Sequence, residues 1–121
     1  MKTRTLVMVG VAALIFLMGC STSKDLYKWH DYDSNLFKYY QKPETAEAFR
    51  AEMETAVQEV EKSKGKIAPG LCAEIGTLYL QKGDRASAVT WYKKERDIWP
   101  DSAAFMGALI TNLEGKTREG N

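Results

Sequence analysis

The sequence has few of the residues that reactive centres are made of. Its 121 residues include one histidine and two cysteines. One histidine leaves no room for a multi-His metal site, and no CxxC or His/Cys set with zinc spacing is present. Two cysteines cannot form the disulfide framework of a small secreted scaffold. Charge of either sign is missing in bulk: 17 Lys and Arg stand against 16 Asp and Glu, a net charge of +1. There is no basic field for nucleic acid and no acidic field for cations. Neither a P-loop nor a GxGxxG turn occurs. The mean hydropathy of −0.37 excludes a multi-span membrane protein, and at this length the chain holds one domain.

What is present begins with the N-terminus. Lys2 and Arg4 precede an apolar run from Leu6 to Met18, 13 residues long. Spanning a bilayer as a helix takes roughly 20 apolar residues. A basic start, a short apolar stretch and a small residue at the break describe a secretory signal peptide. The break reads Leu17-Met18-Gly19-Cys20, then Ser21, Thr22 and Ser23. This resembles a bacterial lipobox, which implies cleavage before Cys20 and a covalent lipid on its thiol and its new amine. Stable attachment takes more than one acyl chain, and a lipidated Cys20 would carry several. Ser21 in place of Asp, by analogy with enterobacterial sorting, points to the outer membrane, periplasmic face.

The sequence thus divides into a signal peptide (1–19), a lipidated tether (20–26), a helical domain (27–115) and a polar tail (116–121). The chain from Cys20 onward is 102 residues with a formal charge of −1. The only covalent group expected is the lipid on Cys20; no cofactor, small-molecule substrate or nucleic acid is indicated.

Within the domain, turn residues Asp31, Asp33, Ser34 and Asn35 interrupt an aromatic-dense stretch, and a short helix is expected from about Ser34 to Gln41. Pro43 suits a helix first turn. From there Ala46, Phe49, Met53, Ala56, Val57 and Val60 trace one face of a long helix ending near Lys64, with Gly65 as its C′ residue. Ile67 to Gly70 reads as a connector. Leu71, Ile75, Leu78 and Tyr79 stripe a second helix that Gly83 ends. Asp84 caps a third, lined by Ala88, Val89, Tyr92 and Trp99 and stopped by Pro100. A last helix carries Phe105, Met106, Leu109, Ile110 and Leu113, and Gly115 onward reads as a frayed tail. No segment alternates with period two, so the fold class is all-α.

The stretch from Pro69 to Ser102 also fits the 34-residue tetratricopeptide pattern. Ile75 and Gly76 fall on its Leu-Gly pair, Tyr79 on its Tyr and Gly83 on its turn. Ala88 falls on its small residue, Tyr92 on its aromatic and Pro100 on its terminal proline. Cys72 and Glu95 depart from it; Glu95 replaces a small residue, so it is either exposed or in polar contact with flanking helices. One repeat cannot bury its own faces. The expected architecture is a tetratricopeptide-like helical hairpin flanked by a long N-terminal helix and a C-terminal capping helix.

A more particular resemblance rests on Tyr27-Lys28-Trp29 with Tyr32, Leu36-Phe37, Tyr40 to Pro43, Pro69-Gly70-Leu71, Ala73 to Gly76, Tyr79-Leu80, Gly83-Asp84, Lys94-Glu95 and Trp99-Pro100-Asp101 with Phe105. Over about residues 26 to 113 the chain resembles a family of uncharacterised bacterial lipoproteins with a tetratricopeptide-like domain of unknown function. The resemblance implies an envelope complex, since members tend to be encoded beside a lipoprotein similar to the curli secretion channel.

His30 is the one candidate for a nucleophile–base or metal centre; in an aromatic loop, packing is the simpler role. Cys72, on the apolar side of a helix, reads as buried and inert. The charges of the long helix read as a solvated face with ordinary ion pairs. The aromatic stretch Tyr27–Tyr40 is the strongest functional feature: it either caps the core or presents a docking surface, with Tyr27, Trp29, Tyr32, Tyr40 and Trp99 as partner-binding candidates. The expectation is a non-enzymatic adaptor that binds another envelope protein. A pilotin-like chaperone is the alternative, and a cell-wall factor or enzyme would need Glu74, Glu95 and His30 to converge.

Overall fold

The computed structural model describes residues 26, 27, 29 and 31–119, with backbone only for 116–119. Cys20, the signal peptide, all of the tether before Leu26 and His30 lie outside the described residues.

Five α-helices and no strand occur among the described residues. They are α1 (Tyr32–Gln41), α2 (Ala46–Lys62), α3 (Leu71–Gln81), α4 (Arg85–Ile98) and α5 (Ala103–Glu119). Short 3-10 turns, Pro43–Thr45 and Pro100–Ser102, lead into α2 and α5. Each opens with a proline, whose fixed φ suits a helix first turn and whose missing N–H costs nothing there.

Two helix ends close by the same device. After α3, Gly83 takes a left-handed φ of 88°. The Asp84 N–H then reaches back to the Tyr79 carbonyl at 2.9 Å and the Gly83 N–H to that of Leu80 at 2.9 Å, a Schellman closure. After α2 the left-handed residue is Lys64 (φ 52°) and not Gly65. Gly65 is one place further on, and its N–H donates to the Val60 carbonyl at 2.8 Å. Asp84 caps α4 as expected, its carboxylate accepting from the Ser87 N–H at 3.0 Å.

The α3–α4 hairpin is the centre of the molecule, with apolar clusters on either side. One cluster takes Phe49, Met53, Val57 and Val60 from α2 and Leu71, Cys72, Ile75 and Leu78 from α3. Ile67 and Ala68, read as mere connector, are buried in it as well. The other joins Ala88 and Tyr92 of α4 to Met106 and Ile110 of α5. Within the hairpin the two helices approach closely at Gly76. A Cβ there would lie 2.8 Å from two ring carbons of Tyr92 and 3.1 Å from the Ala88 carbonyl oxygen. Glycine is required by that contact, not by its backbone angles.

Several boundaries and sides differ from expectation. Helix α1 starts at Tyr32, ahead of Ser34. Helix α5 runs to Glu119, so the polar stretch from Gly115 is helical rather than a tail from its start. No proline interrupts it, and polar residues continue a helix already nucleated. Phe105, placed with the core stripe, is 66% exposed. Met106 and Ile110 point at α4, and Phe105 lies about 100° round the helix from Met106.

Candidate interaction surface

The aromatic stretch does not fold as a separate flap. It forms a line of rings, the two Tyr27 pairs edge to face, three pairs tilted and one stacked. Trp99 lies 6.1 Å from Tyr27, Tyr27 6.2 Å from Trp29 and Trp29 5.4 Å from Tyr32. Tyr32 then meets Phe49 at 5.8 Å, Phe49 stacks on Tyr39 at 5.5 Å, and Tyr39 meets Tyr40 at 5.7 Å. These separations are those at which aromatic pairs gain beyond area burial. The helical period of α1 explains the division of labour: Tyr32, Leu36 and Tyr39 recur on the face against α2 and α3.

The five candidates therefore split. Tyr27, Tyr32 and Trp99 are half-buried; Tyr27 and Tyr32 pack on the core, and Trp99 meets Tyr27. Trp29 is 41% exposed and Tyr40 75% exposed. Phe37, which belongs to the same stretch but was not singled out, is 63% exposed. The helical wheel identifies it: one residue on from Leu36, it falls outside the inward stripe. Tyr40 follows three residues later on the same flank as Phe37.

Polar contacts lock the inner rings. The Tyr32 hydroxyl donates to Glu74. Burial, reinforced by that carboxylate, pushes the Tyr32 phenol far up. Tyr39 donates to Gln81 at 3.2 Å. Arg50, expected on a solvated face, is buried instead. Its guanidinium lies 4.2 Å over the Tyr79 ring and pairs with Glu47 and with Glu54 at 2.7 Å. Hydrogen bonds from Lys82 and Arg50 hold the Glu47 carboxyl below its usual range.

Glu95 is the largest surprise of the hairpin. It is 0% exposed, and its Oε1 accepts from the Gly70 N–H at 2.7 Å. Gly70 is the left-handed N-cap of α3 (φ 86°), so a carboxylate from α4 sits at the positive end of α3. Of the two alternatives, polar contact is the one realised. Glu95 Oε2 and the Trp99 indole nitrogen are buried without a partner among the described residues. Cys72 is wholly buried, and burial, with Glu95 nearby, pushes its thiol up to about 12.

Glu74 and Glu95 are thus each engaged in structural bonds, one to Tyr32 and one to Gly70. No group of three His, Cys, Asp or Glu able to hold a metal occurs among the described residues. No described helix is long and apolar enough to cross a membrane.

No curated protein and no solved structure matches the chain. A family model described as a domain of unknown function, DUF4810, matches residues 26–109, from the first described aromatic segment to the core-facing turns of α5; the chain belongs to that family.

Proposed function

We propose that this protein is a lipid-anchored adaptor on the periplasmic face of the outer membrane. In this reading its α3–α4 hairpin is tetratricopeptide-like and its exposed aromatic residues bind another envelope protein. The observation that carries the proposal is the exposure of Trp29, Phe37 and Tyr40 at the end of the domain that the Cys20 tether leads into. Large aromatic side chains left in water beside a half-buried line of rings are typical interface anchors. The lipobox around Cys20 supports the anchor. The in-frame positions Gly76, Tyr79, Gly83, Ala88, Tyr92 and Pro100 support the repeat. The resemblance to lipoproteins encoded beside a curli-channel-like lipoprotein supports an assembly of that kind as the partner. Tethering would raise the effective concentration of the domain at the membrane surface without any new contact.

In-cell crosslinking followed by purification of the full lipoprotein tests this. The expected outcome is one envelope protein recovered with the wild type and lost with Cys20→Ala or with Trp29→Ala and Tyr40→Ala together. Recovery unchanged by the aromatic pair would sink the docking surface. Labelled palmitate absent from Cys20 would sink the anchor.

A further inference from the structure

A groove of about 680 Å³ runs between α1 and α2, on the flank of α1 away from Phe37 and Tyr40. Its floor includes small side chains, Ser34, Ala51 and Thr55, so a polypeptide can come close to both helices. Its walls carry Asp31, Glu52 and Glu59, the last engaged elsewhere, against one lining cation, Lys38. The Lys38 ammonium is bonded to the Asn35 side chain at 3.3 Å.

The charge pattern of α2 makes these carboxylates unusual. Glu47 and Glu54 pair with Arg50, Glu47 also with Lys82, and Glu61 with Lys94. The chain thus supplies cations for three acids of that helix, Glu47, Glu54 and Glu61. Glu52 and Asp31 have no ion-pair partner among the described residues. Where the groove meets the core, Asp31 and Glu52 also line a small apolar notch of about 30 Å³. Trp29, Tyr32, Phe49, Met53 and Leu71 wall it. Its size suits a methyl-sized group.

We propose that this groove holds a Lys- or Arg-bearing peptide segment of a partner protein, with a small apolar side chain of that segment in the notch. The proposal rests on the adaptor reading only in requiring a protein partner. Charge complementarity selects the occupant. Two carboxylates without an ion-pair partner among the described residues attract a basic segment and repel phosphate-rich surfaces, whether lipid or nucleic acid. The apolar notch beside them gives a register that a free cation would not need. The groove and the exposed Phe37 and Tyr40 lie on different flanks of α1, whereas Trp29 walls the notch itself.

The test uses the full lipidated chain in detergent, panned against a phage-displayed library of random heptapeptides. Enriched peptides should carry Lys or Arg beside Ala, Val or another small apolar residue. A synthetic copy of one should lose about tenfold in affinity with Asp31→Asn plus Glu52→Gln. It should keep its affinity with Glu44→Gln plus Asp101→Asn, which removes the same charge elsewhere on the surface. Enriched peptides without basic residues, equal loss with both pairs, or no enrichment at all would each overturn the proposal. Binding lost with Phe37→Ala plus Tyr40→Ala but not with the groove pair overturns the groove and leaves the adaptor reading standing. Groove binding intact alongside failed co-purification overturns the adaptor reading alone.

Discussion

At the residue scale, the hairpin depends on side chains that leave no slack. Gly76 is the sharpest case, because a methyl group there meets the Tyr92 ring and the Ala88 backbone at once. Tyr92 is itself held, its hydroxyl 3.0 Å from Thr77 Oγ1. Gly76→Ala should therefore destabilise the protein by about 1–3 kcal/mol, the usual cost of overpacking a filled core, despite the better helix propensity of Ala. Urea unfolding measures it, and an unchanged midpoint would show that Tyr92 can move aside. Cys72 yields a pH prediction. Its folded thiol titrates near 12 because it is buried, whereas an unfolded thiol titrates near roughly 8.5. The unfolded chain loses the proton first, so stability is fully present below about pH 8.5 and falls as pH rises toward 12. At pH 9, iodoacetamide should modify the Cys72 peptide far more slowly in native protein than in guanidinium, read by mass spectrometry. Glu95 shows where residue-level reading stops. Its identity marked a departure from the repeat pattern, but only the fold revealed that its partner is the backbone N–H of Gly70.

At the element scale, periodicity located the helices and their inward faces, while the ends were decided by local backbone closure. The α2 terminus shows the difference. Gly65 stood as the natural left-handed residue, yet Lys64 occupies that conformation and Gly65 supplies the longer Schellman bond to Val60. A side chain in the left-handed region costs about 1 kcal/mol, which glycine escapes at the expense of greater freedom when unfolded. Lys64→Gly is expected to raise stability by about 0.5–1 kcal/mol, measured as a higher thermal midpoint. A lower midpoint would mean that the Lys64 conformation costs less than the added chain entropy. Phe105 illustrates a limit of the same kind. An apolar residue next to a stripe reads as part of it, and only the register in which α5 leaves the Pro100–Ser102 turn puts it outside.

At the scale of the whole molecule, the hairpin sits between two covers. Helix α2 closes one side with its own apolar stripe, and α5 closes the other with Met106 and Ile110. The covers are unequal, since the α5 cluster of fully buried side chains is much the smaller. Ile110→Ala, which truncates a side chain that is buried there, should cost about 2–4 kcal/mol. Circular dichroism melting would detect it. A loss below about 0.5 kcal/mol would show that α5 is dispensable as a cover. Charge is distributed to match: Lys94 to Glu61 ties α4 to α2 at 2.8 Å, and Lys93 to Glu114 ties it to α5 at 2.8 Å. Such exposed pairs add little stability and mainly favour one arrangement of the covers.

The sequence by itself determined the all-helical class, the order of the helices, the caps at Gly83 and Asp84 and the inward faces of α2 and α3. These follow from local rules, in which a 3.6-residue period and the chemistry of turn residues act over a few positions. It also marked the aromatic stretch as the feature to watch. Tertiary structure alone decided which of those rings are spent on the core. Tyr32 is covered because α1 lies against α2 and α3, and Tyr27 and Trp99 because their rings meet, relations between distant segments that no short-range pattern encodes. Packing of α4 against the start of α3 buried Glu95, and packing of α2 on α3 buried Arg50. Trp29, Phe37 and Tyr40 stay in solvent, and the groove beside Lys38 holds Asp31 and Glu52 without an ion-pair partner among the described residues.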